Sequence, residues 1–188
     1  MPEAPVSVTD ALALIVGEAD GLDSRVQGDT AAAIDLVERA GRVFVHGAGR
    51  SGLALRMTAM RLMHLGLDVH VVGEVTTPAI HEGDLLLVAS GSGTTGSIVQ
   101  AARTATEVGA SVLAVSTTDD SPLAELATVT LVIPAATKTD RSGSASGQYA
   151  GSRFEQALVL LGDALFHALW TRSGHSADDL WPSHANLE

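Results

Sequence analysis

Two glycine-rich loops contain the residues of this sequence that could bind an anion. Residues 47–52 read Gly-Ala-Gly-Arg-Ser-Gly, a complete G-x-G-x-x-G motif, and residues 90–95 read Ser-Gly-Ser-Gly-Thr-Thr, with four hydroxyl groups. Glycine lets the backbone approach an oxyanion, and the N–H groups at a helix start point towards it. The loops predict a site for a dinucleotide or a phosphorylated small molecule, although glycine also forms ordinary strand-to-helix turns.

Acid–base chemistry has a few candidates, each with a structural alternative. Glu155 follows Ser152 at the spacing of a capping box, so spacing alone favours a carboxylate that caps a helix. His64 stands alone on an apolar helix, where a histidine commonly serves packing. His184 lies near the chain end, a region that is often disordered. The remaining histidines show no metal-ligand spacing, and we assign no role to His46, His70, His81, His167 and His175.

The elements that must position these residues follow from the apolar pattern. Continuous apolar segments predict strands at 42–46, 67–73, 84–90, 112–116 and 129–133. Helical spacing predicts two helices within residues 6–40 and others at 53–65, 97–108 and 152–172. This is typical of a parallel sheet with helices on both faces. Residues 134–151 show no periodicity, and a loop of this length is usually functional or mobile.

Length and composition restrict the class of protein. At 188 residues we expect one domain, with N-terminal helices in 1–40, an α/β core in 42–172 and a tail in 173–188. The net charge of −11 and the absence of a basic run disfavour nucleic-acid binding. Cysteine is absent, which excludes disulfides and thiolate chemistry. No apolar run could cross a bilayer and the first residues lack a signal-peptide pattern, so we expect a cytoplasmic protein.

Four motifs and the tail carry a resemblance to a known family. They are the loop at 47–52, Met-Arg-Leu-Met-His-Leu-Gly at 60–66, Gly-Glu-Val-Thr-Thr-Pro-Ala-Ile at 73–80, Ser-Gly-Ser-Gly at 90–93 and His-Ala-Asn-Leu-Glu at 184–188. In this order they resemble the 6-phospho-3-hexuloisomerases, which are sugar isomerase (SIS) domain proteins. The resemblance covers residues 42–188. The sequence departs from the family at Thr94, where glutamate is common, and at Tyr149-Ala150, where Pro-Met is common.

The resemblance implies a fold and a reaction. The fold would be an α/β SIS domain with a five-stranded parallel sheet flanked by helices. The reaction would convert D-arabino-3-hexulose 6-phosphate to D-fructose 6-phosphate through a cis-enediolate, with no redox cofactor and no metal. The substrate would come from a 3-hexulose-6-phosphate synthase that uses ribulose 5-phosphate and formaldehyde, in the ribulose monophosphate pathway. A homodimer or homotetramer is expected, because SIS domains usually build sites between subunits.

The same resemblance assigns roles to individual residues. Glu155 corresponds to the catalytic glutamate, and His64 could move protons between the enediol oxygens or stabilise their charge. His184 could reach a neighbouring site from the tail. The residues expected to bind the substrate are Arg50, Ser51, Ser90, Gly91, Ser92, Gly93, Thr94 and Thr95.

Three alternatives remain open at this point. Another SIS phosphosugar isomerase would share the loops and the acid–base logic. A non-catalytic sugar-phosphate sensor would share the fold, but the sequence contains no evident DNA-binding segment. A nucleotide-binding oxidoreductase would use the first loop together with Asp68 or Glu74, whose spacing suits a ribose-binding carboxylate.

Overall fold

A computed structural model describes residues 7–135 and 146–187 of the chain, and these form a parallel sheet between helices. The strands are β1 (Val43–Gly47), β2 (Val69–Val71), β3 (Leu85–Ala89), β4 (Ser111–Ser116) and β5 (Val129–Val132). The helices are α1 (Val8–Ala19), α2 (Thr30–Arg39), α3 (Gly49–His64), α4 (Gly96–Glu107), α5 (Pro122–Leu126), α6 (Ser152–Ser173) and α7 (Ala177–Leu180). A single 3₁₀ turn, Trp181–Ser183, follows α7.

The strand order determines where a ligand can bind. The order is β2-β1-β3-β4-β5, and every pairing between these five strands is parallel. β1 and β3 are neighbours, with Gly47 opposite Ala89 at their carboxyl ends. After β1 the chain continues to β2 on one side, and after β3 it continues to β4 on the other side. Ligands of open α/β sheets bind in the crevice where the direction of the connections reverses in this way. The two glycine loops therefore emerge side by side at the crevice.

Helices cover both faces of the sheet, as the apolar strands require. Alternate strand residues point to opposite faces, so Leu85 and Leu87 pack with α2, α3 and α6, whereas Leu86 and Val88 pack with α4 and α5. Each fully buried aliphatic side chain contributes about 1.5–3 kcal/mol of transfer free energy. The predicted fold class, a five-stranded parallel sheet flanked by helices, is confirmed.

Several boundaries differ from the sequence prediction. β2 is shorter than the predicted 67–73, and α3 begins at Gly49 rather than near Leu53. α5 and α7 were not predicted, because each is too short to show periodicity. The predicted loop at 134–151 falls largely on residues 136–145, which lie outside the described residues. Within the described part of the chain, no helix is both long enough and apolar enough to cross a membrane.

The tail folds back onto the core rather than extending away from it. Ser176 and Asp179 form a capping box at the start of α7. The 3₁₀ turn then contacts α3, and the His184 ring stacks on the His64 ring with centroids 4.2 Å apart. The tail therefore covers the C-terminal end of α3.

Candidate active site

The first glycine loop is shaped by close packing between strand and helix. A Cβ on Gly52 would overlap the carbonyl oxygen of Gly47. The close approach of α3 to the end of β1 therefore requires glycine at position 52. Gly93 in the second loop has a φ of +64°, and a Cβ there would overlap the side chain of Ser121. Both glycines have a structural role that is independent of any ligand.

The helices that start at the crevice differ from most others in how they begin. α1, α2, α5 and α7 each begin with a side-chain N-cap, supplied by Ser7, Asp29, Ser121 and Ser176. α3, α4 and α6 begin after Ala48, Thr95 and Gly151, and none of these three positions provides a side-chain cap. The first N–H groups of a helix have no intrahelical acceptor. Three uncapped helix starts therefore offer amide donors to an anion.

The second loop presents its hydroxyls in a fixed arrangement. Ser90 Oγ lies 2.9 Å from Thr95 Oγ1, and the Thr94 hydroxyl donates to Ser92 Oγ at 2.9 Å. The loop is also fixed from behind, because the Thr117 hydroxyl donates to the carbonyl of Gly91 at 2.6 Å. Thr117 was not singled out in the sequence, although its place just after β4 at the same sheet edge could have indicated it.

Glu155 lies at the start of α6 and is paired with Arg50 at the start of α3. Arg50 Nε is 3.0 Å from Glu155 Oε2, and the glutamate side chain is 6% exposed whereas that of Arg50 is 62% exposed. The capping-box alternative is wrong, because the N-cap is Gly151 and Ser152 is already inside the helix. Gly91 is close to Phe154, since a Cβ on the glycine would lie 3.5 Å from that ring. Arg50, Glu155 and the hydroxyl loop thus belong to elements that meet at one place.

Ser51 follows Arg50 in the first turn of α3 and is buried. It sits beside the close contact between Gly47 and Gly52, so any contact with a ligand would be made from within the loop rather than from the surface.

His64 lies at the opposite end of α3 from Arg50. Fourteen residues separate the two, which corresponds to about 21 Å along a helix axis. Burial, together with His184 and Arg61, lowers the pKa of His64 below its usual value, which favours the neutral imidazole. Its Nδ1 is buried and has no hydrogen-bond partner among the described residues. Within one chain, the two residues predicted to be catalytic, Glu155 and His64, are not brought together.

His64 and His184 line a surface depression of about 520 Å³, whose other charged or polar groups come from Arg61, Asp163 and His167. Trp181 borders the same depression and its ring lies 4.8 Å from the ring of His184. The C-terminal end of α3 therefore carries a second group of polar residues that is separate from the glycine loops.

A different cavity, between the sheet and helices α2, α3 and α6, does not suit a phosphorylated ligand. It has a volume of about 240 Å³ and, apart from Thr30 and Thr58, it is lined by apolar side chains and Gly162. It provides no cationic group and few donors, so the crevice at the carboxyl edge of the sheet is the better candidate.

Two further observations concern metal ligands and a nucleotide ribose. The described residues contain no group of three or more histidine, aspartate or glutamate side chains arranged to hold a metal ion. Glu74, one of two carboxylates with the spacing for a nucleotide ribose, is paired with Arg56 at 2.6 Å.

Comparison with known proteins identifies the family. The model of the SIS domain family matches residues 36–161. A protein of Mycobacterium gastri named 3-hexulose-6-phosphate isomerase is 52% identical over 182 residues, which cover 96% of this chain and 92% of that protein. A protein of the same name from Bacillus subtilis strain 168 is 39% identical over 148 residues, covering 78% and 80%.

A solved structure agrees with these similarities. The crystal structure of a hypothetical protein from Methanococcus jannaschii, described as inferring a molecular function of 3-hexulose-6-phosphate isomerase, superposes with a TM-score of 0.79 at 26% identity. It covers 95% of this chain and 99% of its own. The chain therefore belongs to the SIS domain family and, within it, to the family of the 3-hexulose-6-phosphate isomerases.

Proposed function

We propose that this chain isomerises D-arabino-3-hexulose 6-phosphate to D-fructose 6-phosphate, with Glu155 as the base. The observation that carries the proposal is the buried Glu155 carboxylate, held by Arg50 beside two loops that offer hydroxyls and helix-start amides. The relatives that bear the isomerase name support the substrate. We treat residues 1–188 as a single domain, since α1 and α2 both contact α6.

In this proposal the second loop binds the phosphate and the adjacent hydroxyls of the sugar. The amides at the start of α4 and the Gly91 N–H would donate to the phosphate oxygens, whereas the Gly93 N–H already donates to the Ser90 carbonyl at 3.0 Å and shapes the loop. The hydroxyls would add further donors from the side chains of Ser90, Ser92, Thr94 and Thr95. Ser51 and the start of α3 would bind from the other side of the crevice. Arg50 would add positive charge from the first turn of α3.

The chemistry moves the carbonyl from C3 to C2 by two proton transfers. The Glu155 carboxylate removes the proton on C2 of the hexulose phosphate, and the electron pair of that C–H bond forms the cis-enediolate. The same group, now protonated, returns a proton to C3, while a proton passes from the C2 hydroxyl to the former carbonyl oxygen. A positioned general base of this kind contributes roughly 10²–10⁴ in rate. Arg50 pairs with this carboxylate in its buried position.

His64 can take part only if a second copy of the chain supplies it. A residue about 21 Å along α3 from Arg50 is too far to reach the same substrate. Exposed apolar side chains, Leu53, Met57 and Met60, lie between the two ends, at intervals of three or four residues. This spacing puts them on one face of α3. An apolar stripe on one exposed helix face is typical of an interface with another protein.

The stripe has a symmetry that fits a pair of identical helices. Met57 is seven residues after Arg50 and seven before His64. If two α3 helices pack antiparallel about a two-fold axis at Met57, His64 of each copy lies opposite Arg50 of the other. His184 stacks on His64 and would arrive with it. We therefore propose a homo-oligomer whose sites combine Glu155 of one copy with His64 of a second.

The neutral form of His64 suits a role at the enediol oxygens, where it would donate one proton and accept another. The synthase that makes the substrate from ribulose 5-phosphate and formaldehyde is the functional partner we propose, in the cytoplasm. Another SIS phosphosugar isomerase remains the second candidate, because the loops would serve any phosphosugar.

A coupled assay tests the function. The protein is incubated with 3-hexulose-6-phosphate synthase, ribulose 5-phosphate and formaldehyde, and fructose 6-phosphate is measured through glucose-6-phosphate isomerase and dehydrogenase. We expect product only when this chain is present. If a known isomerase works under the same conditions and this chain does not, the substrate is wrong. Another phosphosugar that is bound and converted would then indicate a different isomerase, and one that is bound but not converted would indicate a sensor.

A further inference from the structure

Helix α1 is attached to the rest of the protein in an unusual way. None of its residues is buried, and Val8, Leu12 and Val16 are largely exposed. Apolar burial on its own domain therefore contributes little to its position. Glu18, in its last turn, instead reaches across to the segment that precedes α6.

Glu18 accepts three hydrogen bonds from consecutive residues of that segment. The donors are the Ser146 hydroxyl at 2.7 Å, the Gly147 N–H at 2.7 Å and the Gln148 side-chain amide at 2.9 Å. Burial alone would raise the pKa of Glu18, but these hydrogen bonds and the charge of Arg153 outweigh it and hold the pKa below its usual value. The carboxylate is therefore ionised at neutral pH, which gives charge-assisted hydrogen bonds to the segment.

The segment leads directly to the catalytic carboxylate of the proposed mechanism. Gln148 and Gln156 exchange two side-chain hydrogen bonds of 3.1 and 2.8 Å, and Gln156 is next to Glu155 in the first turn of α6. Between them, Ala150 and Gly151 both have positive φ values, of 21° and 77°. An alanine with positive φ persists only where the surroundings hold it. Glu18 and the glutamine pair supply two such constraints on the turn.

We propose that Glu18 is a positioning residue for Glu155: by binding residues 146–148 from outside the domain core, it fixes the turn at which α6 begins. This inference rests on the proposed function for the role of Glu155. Glu18 does not touch the substrate. Its removal should alter the rate of proton transfer more than substrate binding, because the hydroxyl loop that binds the phosphate does not contact it.

The test uses the whole 188-residue chain and compares four variants. Glu18→Ala removes the carboxylate that accepts all three hydrogen bonds, and Leu12→Ala on the exposed side of the same helix is its control. Gln148→Glu puts a second carboxylate against Glu18. Glu18→Gln in that background gives an amide that can donate to the new carboxylate, while its carbonyl oxygen still accepts from the Gly147 N–H. The readouts are hydrogen exchange of the amides at 147–155, kcat and KM in the coupled assay, and thermal unfolding.

We expect Glu18→Ala and Gln148→Glu each to accelerate exchange at 147–155. Each should lower kcat about tenfold to a hundredfold, because small displacements of a catalytic group are costly, and KM should stay within about twofold. The double variant should recover part of both losses, and Leu12→Ala should match the wild type. Unchanged exchange and kcat in Glu18→Ala would overturn the proposal, as would failure of the double variant to recover.

The exchange measurement also separates this proposal from the proposed function. If the wild-type chain shows no isomerase activity, the function is wrong, and the positioning of the α6 start by Glu18 is decided by the exchange pattern alone. Faster exchange in Glu18→Ala and recovery in the double variant would support it, and an unaltered pattern would refute it.

Discussion

Arg50 and Glu155 form an ion pair of 3.0 Å between the first turns of α3 and α6. The arginine side chain is open to solvent while the glutamate is almost fully buried. A buried carboxylate without a partner would be strongly unfavourable, and Arg50 provides a partner for this one. The pairing also leaves the arginine accessible to an anionic substrate, and this relationship is the basis of the first prediction.

Replacing Glu155 with glutamine should abolish most of the activity and change the stability of the fold only slightly. The amide has the same shape but cannot accept the C2 proton, so we expect turnover to fall at least about a hundredfold. KM should change little, because the phosphate loop is intact. Steady-state kinetics with thermal unfolding measure both effects.

The Glu74→Gln variant is a matched control. Glu74 also pairs with an arginine of α3, Arg56, but both side chains are about half exposed. Loss of an exposed pair costs at most about 1 kcal/mol, and turnover should be unchanged. If Glu155→Gln unfolds at a markedly lower temperature and retains wild-type turnover, Glu155 has a structural role only.

Removal of hydroxyls from the second loop should weaken substrate binding. Ser90→Ala with Ser92→Ala deletes two of the four hydroxyls and breaks the contacts with Thr95 and Thr94. We expect KM to rise about tenfold or more, since each lost hydrogen bond to a charged group is worth about 1.5–3 kcal/mol. Thr106→Ala, which removes an exposed hydroxyl on α4, is the control. An unchanged KM in the double variant would move the phosphate site elsewhere.

The sheet and the crevice could be predicted because their causes are local. Strands buried on both faces appear as continuous apolar runs, and β1, β3, β4 and β5 match them closely. β2 was predicted too long, because it is an edge strand that pairs only with β1 over three residues. The short helices α5 and α7 depend on caps at Ser121 and Ser176 rather than on periodicity. Caps of this kind are weak signals in a sequence.

The relationship between His64 and Glu155 could not be predicted in the same way. The apolar pattern predicts a helix from Leu53, which leaves the distance in space between Arg50 and His64 undefined. The observed helix begins at Gly49, so all fourteen residues of the interval lie in one helix and correspond to about 21 Å along its axis. The contact of Glu18 with 146–148 joins distant parts of the chain and follows from no motif.

A site shared between two copies predicts complementation. Glu155→Gln and His64→Ala should each be nearly inactive alone. When the two variants are coexpressed and form mixed dimers, one of the two sites in each mixed dimer is intact. Random pairing should then restore about a quarter of the wild-type activity.

The control for complementation mixes Glu155→Gln with a second variant of the same site, Ser90→Ala/Ser92→Ala. If one copy supplies both Glu155 and the hydroxyl loop to a site, each of the two sites in the mixed dimer carries one of the two defects. One site then lacks the base and the other lacks the hydroxyls, so no intact site forms. If the mixture of Glu155→Gln with His64→Ala is no more active than the sum of the two variants assayed separately, the site is not shared between copies.

Glycine at 52 should be required for stability and glycine at 96 should not. A Cβ at position 52 would overlap the carbonyl oxygen of Gly47, so Gly52→Ala forces α3 away from β1. We expect destabilisation of about 1–3 kcal/mol, as for overpacking in a core. Gly96 has open space around its Cα, and Gly96→Ala should be neutral or slightly stabilising. Equal melting temperatures for the two variants would contradict this packing.

The ion pair between Arg42 and the buried Asp84 should make stability depend on pH in acid. Burial alone would raise the pKa of Asp84, but hydrogen bonds from Arg42 and from the His81 N–H outweigh it and keep the pKa below its usual value. Because the folded-state pKa is the lower one, the carboxylate stabilises the protein above its unfolded pKa of about 3.9. That contribution is lost as the pH falls through the folded-state pKa.

The corresponding experiment compares Asp84→Asn with the wild type in denaturant unfolding between neutral pH and pH about 3. At neutral pH we expect the variant to be less stable by about 1–3 kcal/mol, and the difference should narrow in acid. Asp35→Asn, in exposed pairs with Arg39 and Arg172, should cost at most about 1 kcal/mol. A difference that does not depend on pH would mean that the charge of Asp84 is not what stabilises the fold.

The position at which a carbon-bound hydrogen of fructose 6-phosphate is replaced by deuterium tests most directly whether Glu155 is the base that forms a 2,3-enediolate. In D2O, the reverse reaction removes the proton on C3 of fructose 6-phosphate to form the 2,3-enediolate, and proton NMR follows each position separately. We expect the wild-type protein to replace the C3 hydrogen with deuterium and Glu155→Gln to leave it in place. Exchange at C1 would indicate a 1,2-enediolate and a different phosphosugar isomerase, and exchange at C3 that persists in Glu155→Gln would show that another group is the base.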